Sequence, residues 1–413
     1  MKRMFICLLL FPAVLFSQQN AEPKFGINFS GFVKTDIFYD TRQTTSLREG
    51  HFALYPADEL LDKTGADINA KSNFNILSIQ TRLLGKITAP DAFDAKTSGL
   101  IEGEFFGTSD GDANGFRLRH AYVNLDWEKL SLLIGQTWHP MFVTEVFPGV
   151  VSFNTGVPFQ PFSRNPQLRL TVKFGPFSIQ GAALAQRDFQ SFGPKSSSDG
   201  AAGQCSSFLR NSGSPNLNLQ TYYKLNDNVA GIGVDYKKLT PRLATSKNFK
   251  TNETISNRAI NVFAKMSHSG FTLKTNAVYG ENLADLMMLG GYAAVRIDTV
   301  TDLQEYANLS SYSMWGDLTY GKEIEFGLFA GMTKNLGATE NITNKIYGRG
   351  ENIDNVIRIS PRVQWTSGKT KIATELEYTT AAYGKIVHDK KAIIEQAHVV
   401  SNLRILVAAF YYF

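Results

Sequence analysis

The stretch "FGINFSGFVKTDIFYD", residues 25–40, places its apolar side chains two residues apart. Phe25, Ile27, Phe29, Val33, Ile37 and Tyr39 fall on one face, and Asn28, Ser30, Lys34, Asp36 and Asp40 on the other. A period of two held over that length predicts a β-strand with one apolar and one polar face. No helix keeps such a pattern, because its period is 3.6.

The same alternation returns along the chain. Leu77, Ile79, Leu83 and Ile87 oppose Ser78, Gln80, Arg82 and Lys86, and Leu168, Leu170, Val172 and Phe174 oppose Gln167, Arg169, Thr171 and Lys173. Near the end, Ile372, Leu376 and Tyr378 oppose Lys371, Glu375 and Glu377. The pattern predicts about sixteen strands of roughly ten residues. Short connections fall at 90–95, 126–130, 174–176, 226–228, 267–270, 321–322 and 367–369. Long ones alternate with them, centred near 41–71, 109–115, 139–166, 189–215, 239–256, 282–310, 336–355 and 384–396. The segment 55–69, "YPADELLDKTGADIN", is expected to form a short helix inside the first of these loops.

Antiparallel strands with short turns at one rim and long loops at the other predict an all-β fold, a transmembrane barrel. In hydrocarbon an open sheet edge would leave backbone N–H and C=O groups unpaired, so the first and last strands must pair. A soluble propeller would carry blade repeats, which the chain lacks. Trp127, Phe174, Tyr236, Tyr279, Tyr320 and Tyr411 stand at strand ends, where interfacial aromatic girdles are expected. The mean hydropathy of −0.16 leaves no room for a set of transmembrane helices.

The ends fit this reading. Residues 1–17 have a basic start and an apolar run too short to span a bilayer, which predicts a signal peptide cleaved after Ser17. Cys7 leaves with it and Cys205 remains alone, so no disulfide framework is expected. Residues 18–413 are expected to form the barrel, with no plug domain expected between the cleavage point and the first strand. "RILVAAFYYF", 404–413, reads as the closing strand, with Ile405, Val407, Ala409, Tyr411 and Phe413 outward and Arg404 inward.

Alternation turns more bases than acids into the lumen. Rings and ladders of Lys and Arg favour anions in a pore. The net charge of +5 is too small to argue for nucleic acid. The third long loop, 139–166, is apolar and aromatic for a water-exposed segment. Its expected place is the lumen, where it narrows the channel; packing on a neighbouring subunit is the alternative. Placing Arg119 inward by strict alternation turns Val123 and Leu125 inward and His120 and Asn124 outward, a conflict that a bulge or a buried outer face resolves. The six histidines are scattered without a nucleophile motif or metal-ligand spacing, so neither catalytic residue, metal nor cofactor is expected.

"GFVKTDIFYD" (31–40), "LRHAYVNLDWEKLSLLIGQTWHPMF" (118–142) and the terminal Phe413 resemble trimeric outer-membrane porins of the dicarboxylic-acid porin (DcaP-like) type and, more broadly, general sixteen-stranded porins. The resemblance implies an outer-membrane barrel in a Gram-negative bacterium, among its lipid and lipopolysaccharide, assembled as a homotrimer. It implies a passive pore for small hydrophilic solutes, with anions such as small carboxylates preferred. Phe413 resembles the signal by which barrel-assembly machinery recognises its clients. General porins set a basic wall cluster against an acidic inward loop. "TRLLGK" (81–86) supplies Arg82, "LRHAYVNL" (118–125) Arg119, and "SRNPQLRL" (163–170) Arg164 and Arg169. Lys34, Arg362 and Arg404 extend the wall, and Glu145 is the only acid of the loop. A surface adhesion barrel and an outer-membrane hydrolase are the alternative functions.

Overall fold

The computed structural model describes residues 25–413. The expected signal peptide, 1–17, lies outside the described residues.

The wall starts with β1 (Gly26–Asp40) and an interrupted β2 (Asn73–Leu77, then Arg82–Thr88). It continues through β3 (Lys96–Glu104), β4 (Arg117–Asp126), β5 (Leu130–Trp138) and β6 (Arg164–Phe174). Next come β7 (Phe177–Leu184), β8 (Asn216–Leu225), β9 (Asn228–Leu239), β10 (Ile255–His268) and β11 (Phe271–Glu281). The last strands are β12 (Gln304–Gly321), β13 (Ile324–Ala338), β14 (Ile353–Ser367), β15 (Thr370–Val387) and β16 (Ile393–Tyr412).

Each strand pairs antiparallel with the next, and β1 returns to β16 from Phe32↔Tyr412 to Asp40↔Arg404. This is a closed sixteen-stranded transmembrane barrel. Closure pairs the strand edges, as a hydrocarbon surround requires. At the seam Gly31 and Phe413 exchange backbone hydrogen bonds of 3.2 and 3.3 Å. Gly31 is needed there: a Cβ would stand 2.2 Å from the Arg82 carbonyl oxygen. The seven short turns and eight long loops fall where the alternation put them.

On β1, β6, β15 and β16 the outward residues are those expected from alternation. Two places break the period. At Ser78–Thr81 the interruption of β2 turns Ile79 inward, where it is buried, and Leu77 packs against the interior core. Side chains patch the gap, with the Lys34 N–H donating to Thr81 Oγ1 at 3.2 Å. On β4 a bulge opposite Glu102 and Gly103 shifts the register. It places both Arg119 and His120 inward and returns Val123 to the outer face. The bulge answers the conflict in strict alternation, and His120 is inward, not outward.

Segment 55–69 is not a helix. Leu61 and Asp67 form an isolated bridge, and Asp62 Oδ1 accepts from the Thr64 and Ala66 amides at 2.7 and 3.0 Å. Asp62 and Gly65 favour local turn hydrogen bonding over helix propagation. Just before it, the hairpin Thr44–Leu47/Phe52–Pro56 carries Phe52, Leu54 and Tyr55 into the interior core.

Candidate pore site

The third loop runs from His139 to Ser163 inside the barrel. Its composition explains the placement, since Phe142, Val143, Val146, Phe153, Val157, Phe159 and Phe162 are all buried. They pack with Phe52 of the first loop, Phe106 of the second and Phe189 of the fourth. Phe153 stacks on Phe106 and Phe142 on Trp138, each at 3.8 Å between centroids. Removing this much aromatic surface from water drives the loop inward.

Polar contacts fix its height on the wall built by β12–β15. The amides of Gly149 and Val151 donate to Asp317 and Glu375 at 2.8 and 2.5 Å. Asn154 Nδ2 donates to Glu377 at 2.7 Å. Arg358 ties two loops at once, donating to the carbonyls of Val157 and Leu54, both at 2.7 Å. Trp315 Nε1 donates to Gln160 Oε1 at 2.7 Å. From β1, Lys34 Nζ donates to the Val151 carbonyl at 2.8 Å.

Beneath residues 147–152 of this loop a cavity of 310 Å³ opens inside the barrel. Lys34, Arg82, Arg119 and Lys371 line it with the single carboxylate Glu102. Phe32, Trp138 and Phe410 supply its apolar wall. Lys371 Nζ sits 4.2 Å from the Phe410 ring centre and Arg82 5.3 Å from that of Phe32, within cation–π range.

Behind this lining lies a charge cluster centred on the fully buried Glu104. Arg82, Arg117, Arg119 and Arg164 approach its carboxylate at 3.0, 2.7, 2.7 and 3.5 Å. Asp188 pairs with Arg117 and Arg164 at 3.1 and 2.8 Å, and Glu102 pairs with Arg119. Four guanidiniums against three carboxylates leave one net positive charge. Low dielectric strengthens each pair, and a carboxylate can accept several guanidinium donors.

The expected site residues therefore separate. Lys34, Arg82 and Arg119 line the cavity and Arg164 does not, but of these only Arg82 is partly exposed; Lys34 is buried and paired with Asp36 at 3.0 Å, and Arg119 and Arg164 are buried among the carboxylates. Arg362 forms a bidentate pair with Asp317 at 2.6 and 3.0 Å. Arg404 is held by Asp40 and by the Gly50 carbonyl at 2.7 Å, clamping the first loop to the seam. Arg169 donates to the Trp138 carbonyl at 2.5 Å. Glu145 pairs with Lys224 of β8, away from the basic wall. Burial alone would push its carboxyl up, but the Lys224 ammonium holds it below the usual range.

Arg117 and Lys371 were not among the expected site residues. The spacing of Arg117 and Arg119, on one strand face two apart, carried the signal for the first. Lys371 carried none beyond its inward parity.

No family model matches the sequence, and no curated protein matches it. Solved structures do. The outer membrane channel DcaP of Acinetobacter baumannii superposes with a TM-score of 0.67 at 17% identity, covering 94% of this chain and 97% of that one. The trimer form of OmpT, an outer membrane protein of Vibrio cholerae, gives 0.56 at 9% identity over 94% and 99%. An anion-selective porin from Comamonas acidovorans gives 0.54 at 12% identity over 94% and 100%. At these identities the likeness is one of fold, and the DcaP-like resemblance of the sequence is met at that level.

Proposed function

We propose that this chain is an outer-membrane porin, a passive pore for small hydrophilic solutes that prefers anions such as small carboxylates. The observation that carries the reading is the lining of the cavity under the third loop, four cations against one carboxylate. The third loop, 139–166, is then the constriction. Arg82 and Lys371, the partly exposed cations of the lining, meet the solute with Arg119 and Lys34 buried behind them, and a guanidinium fork suits carboxylate oxygens. Arg164, Arg169, Arg362, Arg404 and Glu145 act by holding loops and neighbouring charges in place. Two similar structures support the assignment by their names, one a channel and one an anion-selective porin.

The short turns face the periplasm after secretion with the signal peptide, and Phe413 is the contact for barrel-assembly machinery. The trimer form of one similar structure supports a homotrimer. Purified protein in planar bilayers across a KCl gradient is expected to conduct in steps of three and to reverse toward the anion potential. Cation preference would overturn the selectivity. A barrel that fails to conduct but cleaves lipid or peptide would replace the porin reading with a hydrolase.

A further inference from the structure

Four of the long loops meet at Arg349. It ends the strand Ile346–Arg349 of the seventh loop and lies opposite Gly290, in the strand Gly290–Ile297 of the sixth. The Phe192 ring of the fourth loop is centred 5.6 Å from its guanidinium carbon. Tyr55 of the first loop is close enough for the two side chains to bias each other's ionisation. The Tyr55 hydroxyl stands 3.5 Å from where a Cβ on Gly350 would be.

Arg349 differs from the other loop-bound arginines in having no acceptor. Arg42, Arg48, Arg242, Arg358 and Arg404 each donate to a carboxylate or carbonyl oxygen. Half-buried Arg349 has neither an ion pair nor a side-chain hydrogen bond among the described residues, and its Nε is buried without a partner. The Tyr55 hydroxyl likewise has no hydrogen-bond partner among them. Taking a cation out of water without an acceptor is costly.

The neighbours are held by bonds of their own. The Tyr292 hydroxyl donates to the Phe192 carbonyl at 2.9 Å, and the Tyr383 hydroxyl to the Pro56 carbonyl at 2.7 Å. Gly290 puts no side chain beside the guanidinium. Two donors from different loops are therefore fixed side by side and are not used by the fold.

We propose that Arg349 and Tyr55 form a capture site for a small monocarboxylate in the mouth of the barrel. The guanidinium fork takes the two carboxylate oxygens, and the Tyr55 hydroxyl donates to one of them. The proposal rests on the porin reading, in which the long loops face outward and a solute meets Arg349 before it reaches Arg82 and Lys371.

The first test labels the full barrel in detergent with phenylglyoxal, an arginine reagent, and maps the adducts by mass spectrometry. Arg349 should react faster than Arg404, and potassium acetate should slow it, whereas potassium chloride at equal ionic strength should not. Tyr55→Phe should raise the half-protecting acetate concentration about threefold. The second test is in planar bilayers with acetate on the loop side. Arg349→Gln should raise the half-saturating concentration of the acetate current roughly tenfold and leave the chloride conductance unchanged.

Labelling of Arg349 that is absent, or indifferent to acetate, overturns the site. Equal protection by chloride overturns the carboxylate, and an unchanged half-saturating concentration overturns the capture step. The two readings fail separately. Acetate protection of Arg349 in a barrel that does not conduct would keep the site and remove the porin, and conductance without protection would do the reverse.

Discussion

Two walls of the barrel carry similar charges and use them differently. On β2–β6 the bases Arg82, Arg117, Arg119 and Arg164 crowd one buried carboxylate, Glu104, and part of the group reaches the cavity. On β12–β15 the acids Asp317, Glu375 and Glu377 are spent on the third loop's amides, while Arg358 holds its carbonyl. The lesson is that an inward charge can meet solute only where its own contacts leave it accessible at the cavity, as at Arg82 and Lys371. The lumen of such a barrel is one space in sequence terms but two environments in structure, a cavity lining that draws Arg82 from β2 and Lys371 from β15, and the wall positions closed over by loops.

The strongest way to break this comparison is Glu104→Ala. It leaves four guanidiniums clustered without their shared acceptor, so unfolding from detergent in urea should show a loss of about 3–5 kcal/mol. A loss as small as that of a surface pair would mean the cluster is not a unit. Next, Glu375→Ala removes the acceptor of the Val151 amide and should cost about 1.5–3 kcal/mol locally. It should speed proteolysis between residues 147 and 155 and make single-channel currents noisier. Unchanged cleavage would show that aromatic packing alone holds the loop.

Arg82→Gln tests the solute-facing wall. Arg82 is partly accessible at the cavity, so its loss should lower the anion-to-cation permeability ratio roughly threefold in a water-screened field. Arg404→Gln should leave that ratio unchanged, because Arg404 is clamped to Asp40 and Gly50. Equal effects of the two would erase the distinction between the walls.

The smallest effect belongs to an ion pair at the loop rim. Burial by itself would raise the Asp302 carboxyl, but Ser246 and Arg242 hold it down to about 2. The folded value lies below the ordinary one, so the tie between the fifth and sixth loops is fully present above about pH 4. It weakens as pH falls toward about 2. Hydrogen-exchange protection of residues 242–246, taken relative to the intrinsic rate at each pH, should fall over that window, and Asp302→Asn should remove that pH dependence of the protection.

Much of this was legible in the residues. The period of two gave strand faces on β1, β6, β15 and β16, and the alternation of short and long connections placed every turn. The aromatic third loop announced its own burial. Two local errors have one cause: the interruption at Ser78–Thr81 and the bulge beside His120 each shift parity, and a single extra residue reverses every face beyond it. The expected helix at 55–69 yielded to side-chain hydrogen bonding that holds the backbone in turns.

The chain by itself determined the architecture, because backbone hydrogen bonding in an apolar surround permits only a closed sheet for strands with one apolar face. It also determined which bases point inward, wherever the period is unbroken. What only the tertiary structure decided is which of those bases meets a solute. Arg82 and Arg404 sit on equivalent inward positions, and nothing in their sequence neighbours separates them. Their environments differ because the first loop, distant from both in sequence, closes over Arg404 through the Gly50 carbonyl and leaves Arg82 at the cavity.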